Sequence, residues 1–179
     1  MNIIFLITGF LILPLAAFAA FGISRINCDN IDFFEKLCRN RKIGIIIGFP
    51  LLCWCVPHAQ AIIFSWAEAY LWYAAIVLTV LSYFYLDYLT ARAIGGLLIV
   101  GAYMFVHWGY EFQVPLAPAM TILAWLWGII GIFISGKPSF LRDYFRKCAL
   151  SPKLKIASYF FLALTGIIFT ISTIGELCK

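Results

Sequence analysis

Six long apolar runs follow one another along the chain, separated by short polar stretches. They cover residues 2–24, 43–64, 69–86, 91–110, 115–135 and 154–174. A helix needs about 20 predominantly apolar residues to cross the hydrocarbon of a bilayer. Hydrocarbon offers no water to backbone amides, so a spanning segment satisfies them internally as a helix. The runs lack the alternation of barrel strands and are far longer than such strands. The pattern therefore predicts one all-α transmembrane domain over residues 1–179: a six-helix polytopic bundle with short connections. The second run carries Pro50 and Pro57. It reads either as one kinked helix or as a short span followed by an interfacial helix that opens at Pro57.

Composition removes the soluble alternatives. The 179 residues are 64% hydrophobic and 12% charged, with a mean hydropathy of +0.99. Ordinary soluble domains are about 25% charged. A chain this poor in polar residues cannot cover a water-facing globule. That excludes a typical cytosolic enzyme, a disordered tail and a secreted disulfide scaffold.

Charge then orients the bundle. The net charge is +5. The connection 25–42 holds Arg25, Lys36, Arg39, Arg41 and Lys42, and the turn before the fourth run holds Arg92. The connection 136–155 holds Lys137, Arg142, Arg146, Lys147, Lys153 and Lys155. These three connections lie on one side of a six-pass chain and hold 12 of the 13 basic residues, Lys179 being the exception, and the opposite connections carry Glu68 and Glu111. Basic residues flanking spans stay in the cytoplasm. Both termini are therefore expected outside a bacterial-type cytoplasmic (inner) membrane, and nucleic acid is not an expected partner. Small residues near Ala17 to Ala20 suit signal-peptide cleavage, but the basic cluster follows the apolar run instead of preceding it. The first run is read as an uncleaved helix.

The two long basic connections share a mixture of paired aromatics and charges: Asn30 to Cys38, and Ser139 to Cys148. Both read as short amphipathic helices at the interface, with Asp29 or Asn30 and Ser139 as N-caps. They serve as topology anchors or as a docking surface. The six cysteines, Cys28, Cys38, Cys53, Cys55, Cys148 and Cys178, show no redox or zinc spacing and read as small buried apolar residues.

Candidate chemistry is sparse. No charged residue falls near the middle of a run, which argues against a proton pump or voltage sensor. His58, Glu68, His107 and Glu111 gather on the outer side. His58 and His107 are the candidate cofactor ligands, for a b-type haem or a metal assisted by a carboxylate, or else two separate interfacial histidines. No cofactor is required by any motif, and no metal site is expected. Trp54, Trp66, Trp108 and Glu111 mark an aromatic belt or an outer-leaflet pocket for a lipid or quinone tail. At the opposite side, Asp87 and Arg92 are read as an ion pair across a hairpin, or with Arg142, Arg146 and Lys147 as a headgroup-binding set. The turn lacks the further aspartates of the phospholipid-synthesising alcohol transferases. Gly95, Gly96, Gly101, Gly128 and Gly131 predict close packing of the fourth and fifth spans.

No nucleophile–base set, phosphate loop or zinc-protease motif is present, so catalysis is not expected. The function that follows is an accessory or structural subunit of a membrane assembly, in contact with lipids and a partner subunit or a second copy. The alternatives are a haem- or quinone-associated electron carrier using His58 and His107, and a lipid or small-solute carrier.

Overall fold

The computed structural model describes residues 3–111, 114 and 116–177, with side chains from residue 12 onward except those of residues 65, 176 and 177. The expected run starts at residues 2 and 115, together with Cys178 and Lys179, lie outside the described residues. The described chain is all-helical. Its eight α-helices are α1 (Ile3–Ser24), α2 (Ile31–Arg39), α3 (Arg41–Gln60), α4 (Glu68–Tyr85), α5 (Leu89–Glu111), α6 (Ala117–Gly136), α7 (Ser139–Leu150) and α8 (Pro152–Leu177).

Four of these helices, α3, α5, α6 and α8, are long and apolar enough to cross a membrane. A fifth span results if Ile12–Ser24 and Cys28–Arg39, which meet at a bend of 100°, are counted together. Six spans were expected. The difference lies in α4 and in the bend after α1. The 18 residues of α4 include Glu68, Trp72 and six hydroxyl-bearing side chains, Tyr70, Tyr73, Thr79, Ser82, Tyr83 and Tyr85, which lower its mean hydropathy. The polar stretch that begins at Arg25 ends α1 and redirects the chain.

The second run resolves as one helix. α3 passes through both Pro50 and Pro57 and stops at Gln60, so Pro57 does not open a separate helix. Its start is fixed by Asn40, whose side chain accepts from the amides of Lys42 (2.9 Å) and Ile43 (3.3 Å). Such a bond satisfies donors that the first turn leaves free. The other expected caps differ. Asn30 and Pro138 precede α2 and α7 without a side-chain cap bond, and Ser139 is already helical. Thr90 lies inside α5 and donates to the Asn40 carbonyl. That bond joins the starts of α3 and α5.

α3 and α5 run in the same direction, and α6 returns against α5. The α5–α6 seam is backbone to backbone. A Cβ at Gly95 would stand 2.8 Å from the Gly131 carbonyl oxygen, and one at Gly131 would stand 2.7 Å from that of Gly95. Only glycine permits this approach, and small residues are where helices meet when lipid supplies no hydrophobic drive. Of the other expected glycines, Gly128 faces Ala102 of α5, whereas Gly96 faces Leu51 of α3.

Two clusters close the interior. Near the end of α5, Trp108, Val114, Met120, Leu123 and Phe169 are buried together, and the Phe105 and Phe169 rings lie 4.3 Å apart. At the start of α5, Cys38, Ala91, Ile134 and Leu141 join α2, α5, α6 and α7. The turn between α4 and α5 is tight because Tyr88 adopts a left-handed φ of 56°. The Arg39 guanidinium covers the Tyr88 ring at 5.7 Å, which holds that residue in a conformation side chains rarely take.

Candidate functional site

Residues four apart on a helix share a face. Trp54 and His58 therefore line one face of α3, and Tyr103, His107 and Glu111 line one face of α5. Because α3 and α5 are parallel neighbours, the two faces meet. The ring centroids of Trp54 and His58 are 6.3 Å apart, and those of His58 and Tyr103 are 5.8 Å apart and near-perpendicular. Tyr103 and His107 stack with an interplanar angle of 2° at 6.0 Å. His107 Nε2 then reaches Glu111 Oε2 at 3.4 Å. The result is a continuous row: indole, imidazole, phenol, imidazole, carboxylate.

This row lies on the outside of the helices. The side chains of His107 and Glu111 are 59% and 52% exposed. Two shallow depressions flank it. One is lined by Pro50, Cys53, Trp54, Pro57 and His58, the other by Tyr103, Val106, His107, Tyr110 and Glu111. Both imidazoles pack on Tyr103, a residue that sequence reasoning passed over. The i, i+4, i+8 spacing of Tyr103, His107 and Glu111 was the signal that could have found it.

The expected outer pocket does not assemble as a unit. Trp54 and Glu111 belong to the row. Trp108 is buried in the α5–α6–α8 core, on the face of α5 away from His107, because one residue along a helix turns the side chain through about 100°. Trp66 sits in a short 3₁₀ turn before α4 and is largely exposed. Among the described residues, no three His, Cys, Asp or Glu side chains are gathered as for a metal ion.

The basic end is built differently from the expected headgroup set. Arg92 donates Nη1 to the Ser135 carbonyl at 2.8 Å and Nε to the Asp87 carbonyl at 3.4 Å. It binds main-chain oxygens at the end of α6 and in the turn. The Asp87 carboxylate pairs with Arg41 at 3.6 Å instead of with Arg92. Arg142 binds its neighbour Asp143 at 3.0 Å, and Arg146 binds Glu35 of α2. Of the expected set, Lys147 is exposed and has no partner among the described residues. Hydrogen bonding to Asp143 raises the Arg142 guanidinium above its usual pKa, and Glu35 does the same for Arg146.

The two amphipathic helices pack on each other. Phe34 of α2 meets Phe145 of α7 with centroids 5.5 Å apart, one residue before the Glu35–Arg146 pair. Tyr144 joins Ser158 of α8 at 2.5 Å. Burial pushes the Cys38 thiol up to about 11 and the Tyr144 phenol up to about 12. Further inside, Trp127 of α6 donates to Thr165 of α8 at 3.2 Å, a cross-helix bond with no sequence signature.

Comparisons with protein-family models, curated proteins and solved structures returned no match to this chain. Fold and composition define the class: an all-helical membrane protein with four to five helices apolar enough to span.

Proposed function

We propose that this chain is an accessory or structural subunit of a larger assembly in a bacterial-type cytoplasmic membrane. In this reading it crosses the bilayer six times, with both termini outside and the basic connections in the cytoplasm. The confinement of Lys and Arg to alternate connections supports that orientation. The packing of α2 on α7, which brings the two most basic connections to one end of the helices, is consistent with it.

One observation carries the functional reading. The row from Trp54 through His58, Tyr103 and His107 to Glu111 stands on the outer surface of α3 and α5 and not in the interior. Polar and ionisable side chains facing lipid are costly. A partner helix bearing hydrogen-bonding groups would satisfy them. Cross-helix polar contacts of this kind contribute about 1 kcal/mol each. Photo-crosslinking from position 106, between Tyr103 and Glu111, in native membranes tests this. A discrete protein adduct is the expected result. A partner-free monomer after both crosslinking and mild detergent extraction rejects the reading.

The two imidazoles on one tyrosine ring favour a second reading, a haem- or quinone-associated electron carrier. Its test is the absorption spectrum of protein expressed with haem supplied. A Soret band lost in His58→Ala and His107→Ala would replace the subunit reading, and its absence removes the haem.

A further inference from the structure

The segments 25–42 and 137–155 together hold eleven basic and four acidic residues. The structure divides the cations into two groups. Arg41, Arg142 and Arg146 pair with carboxylates, Lys155 binds the Ile26 carbonyl and Asn27, and Arg25 and Arg39 lie over aromatic rings. Lys36, Lys42, Lys137, Lys147 and Lys153 are exposed, and their side chains have no polar partner among the described residues.

Three of these five, Lys36, Lys147 and Lys153, stand close in sequence to large exposed apolar side chains. Lys36 stands one helical turn after Phe33, which is 65% exposed. Lys147 stands one turn before Leu150, which ends α7 and is 78% exposed, and Lys153 follows in the first turn of α8 after the break at Ser151. Phe140, also exposed, precedes Lys147 by two turns. Large apolar side chains beside unpaired cations are the pattern of a helix lying at the headgroup boundary. A helix facing water alone would not keep Phe33 and Leu150 exposed beside them.

We propose that α2, α7 and the first turn of α8 form a cradle for anionic phospholipid headgroups. Lys36, Lys147 and Lys153 supply the charge, and Phe33, Phe140 and Leu150 enter the acyl boundary. The Phe34–Phe145 contact and the Glu35–Arg146 pair hold the two helices as one surface. Glu35 and Asp143 are engaged by arginines, and the five exposed unpaired lysines outnumber the two exposed carboxylates left over, Asp29 and Asp32, so the platform keeps an excess of positive charge. Charge complementarity selects phosphatidylglycerol-type lipids over zwitterionic ones. This inference does not depend on the partner proposed for the histidine row.

Native mass spectrometry of the full chain, titrated with phosphatidylglycerol or phosphatidylcholine, tests it. Each lysine near an anionic surface accounts for about a fivefold change in binding. Combined Lys36→Gln, Lys147→Gln and Lys153→Gln should weaken phosphatidylglycerol retention on the order of a hundredfold, with phosphatidylcholine retention unchanged. These side chains are exposed and have no polar partner among the described residues, so the thermal midpoint in detergent alone should match that of the parent, which separates lost binding from misfolding. Equal retention of both lipids by the parent, or full phosphatidylglycerol retention by the triple variant, overturns the proposal. So does an acidic protein crosslinked at position 147 from native membranes in place of lipid.

Discussion

Arg92 and Ser135 tie the first turn of α5 to the last turn of α6, through Nη1 and a main-chain carbonyl 2.8 Å apart. The last carbonyls of a helix have no intrahelical donor, and a cation there also meets the negative end of the helix dipole. Arg92 thus acts as a clasp between antiparallel neighbours. Hydrogen bonds from a charged donor contribute about 1.5–3 kcal/mol. Arg92→Ala should lower stability by about that amount in detergent unfolding monitored by circular dichroism. Asp87→Asn, which removes an exposed partner of Arg41, should cost about 1 kcal/mol or less. Equal effects of the two substitutions would contradict the clasp.

The glycine seam sets a second expectation. Gly131→Ala places a methyl group 2.7 Å from a backbone oxygen that belongs to the facing helix and cannot rotate away. Overpacking of this kind costs about 1–3 kcal/mol. Gly22→Ala, where nothing lies within 4 Å of the added carbon, should leave the unfolding midpoint unchanged or raise it. Equilibrium unfolding of the two variants side by side distinguishes a tight seam from a general need for glycine.

Cys38 and Cys28 should differ in reactivity. Cys38 is buried and its thiol is pushed up to about 11, while Cys28 is exposed. The thiolate is the reactive form. Maleimide at pH 7.5 should label Cys28 first, and the Cys38 rate should climb as pH rises toward 11. The linkage has a definite sign. The native state holds the Cys38 proton more tightly than the unfolded chain, whose thiol titrates near 9. The stability this contributes is complete below pH 9 and is lost as pH rises through about 11. Peptide mapping of the labelled protein gives the order directly.

The α2–α7 contact separates an aromatic contribution from an ionic one. Phe34→Ala with Phe145→Ala should show a coupling of about 0.5–1.5 kcal/mol in a double-mutant cycle. Glu35→Gln with Arg146→Gln should couple by about 1 kcal/mol or less, since the Arg146 side chain is 52% exposed. A larger ionic coupling, insensitive to salt, would show that the pair is shielded from water.

The same contact constrains topology. With α2 packed on α7, cysteine probes at Arg39 and Lys147 should react from the same side of a sealed vesicle. Reaction from opposite sides would break both the packing and the orientation read from the basic residues.

The apolar runs determined the all-helical class and the membrane setting. Burial in hydrocarbon and backbone satisfaction depend on local composition, which a sequence displays directly. The glycines of the fourth and fifth runs likewise announced the α5–α6 seam, because close approach has one residue-level requirement. Tertiary structure decided the partners. Asp87 and Arg92 are five residues apart in sequence, yet the carboxylate turns to Arg41 and the guanidinium to Ser135. Trp108 and His107 are adjacent in sequence, yet one enters the core and the other joins the exposed row. Tyr103 gains its place only when α3 lies parallel to α5, and Phe34 meets Phe145 across more than a hundred residues. Such pairings depend on which helix faces lie together, and that is settled by the packing of the whole chain, not by any one segment.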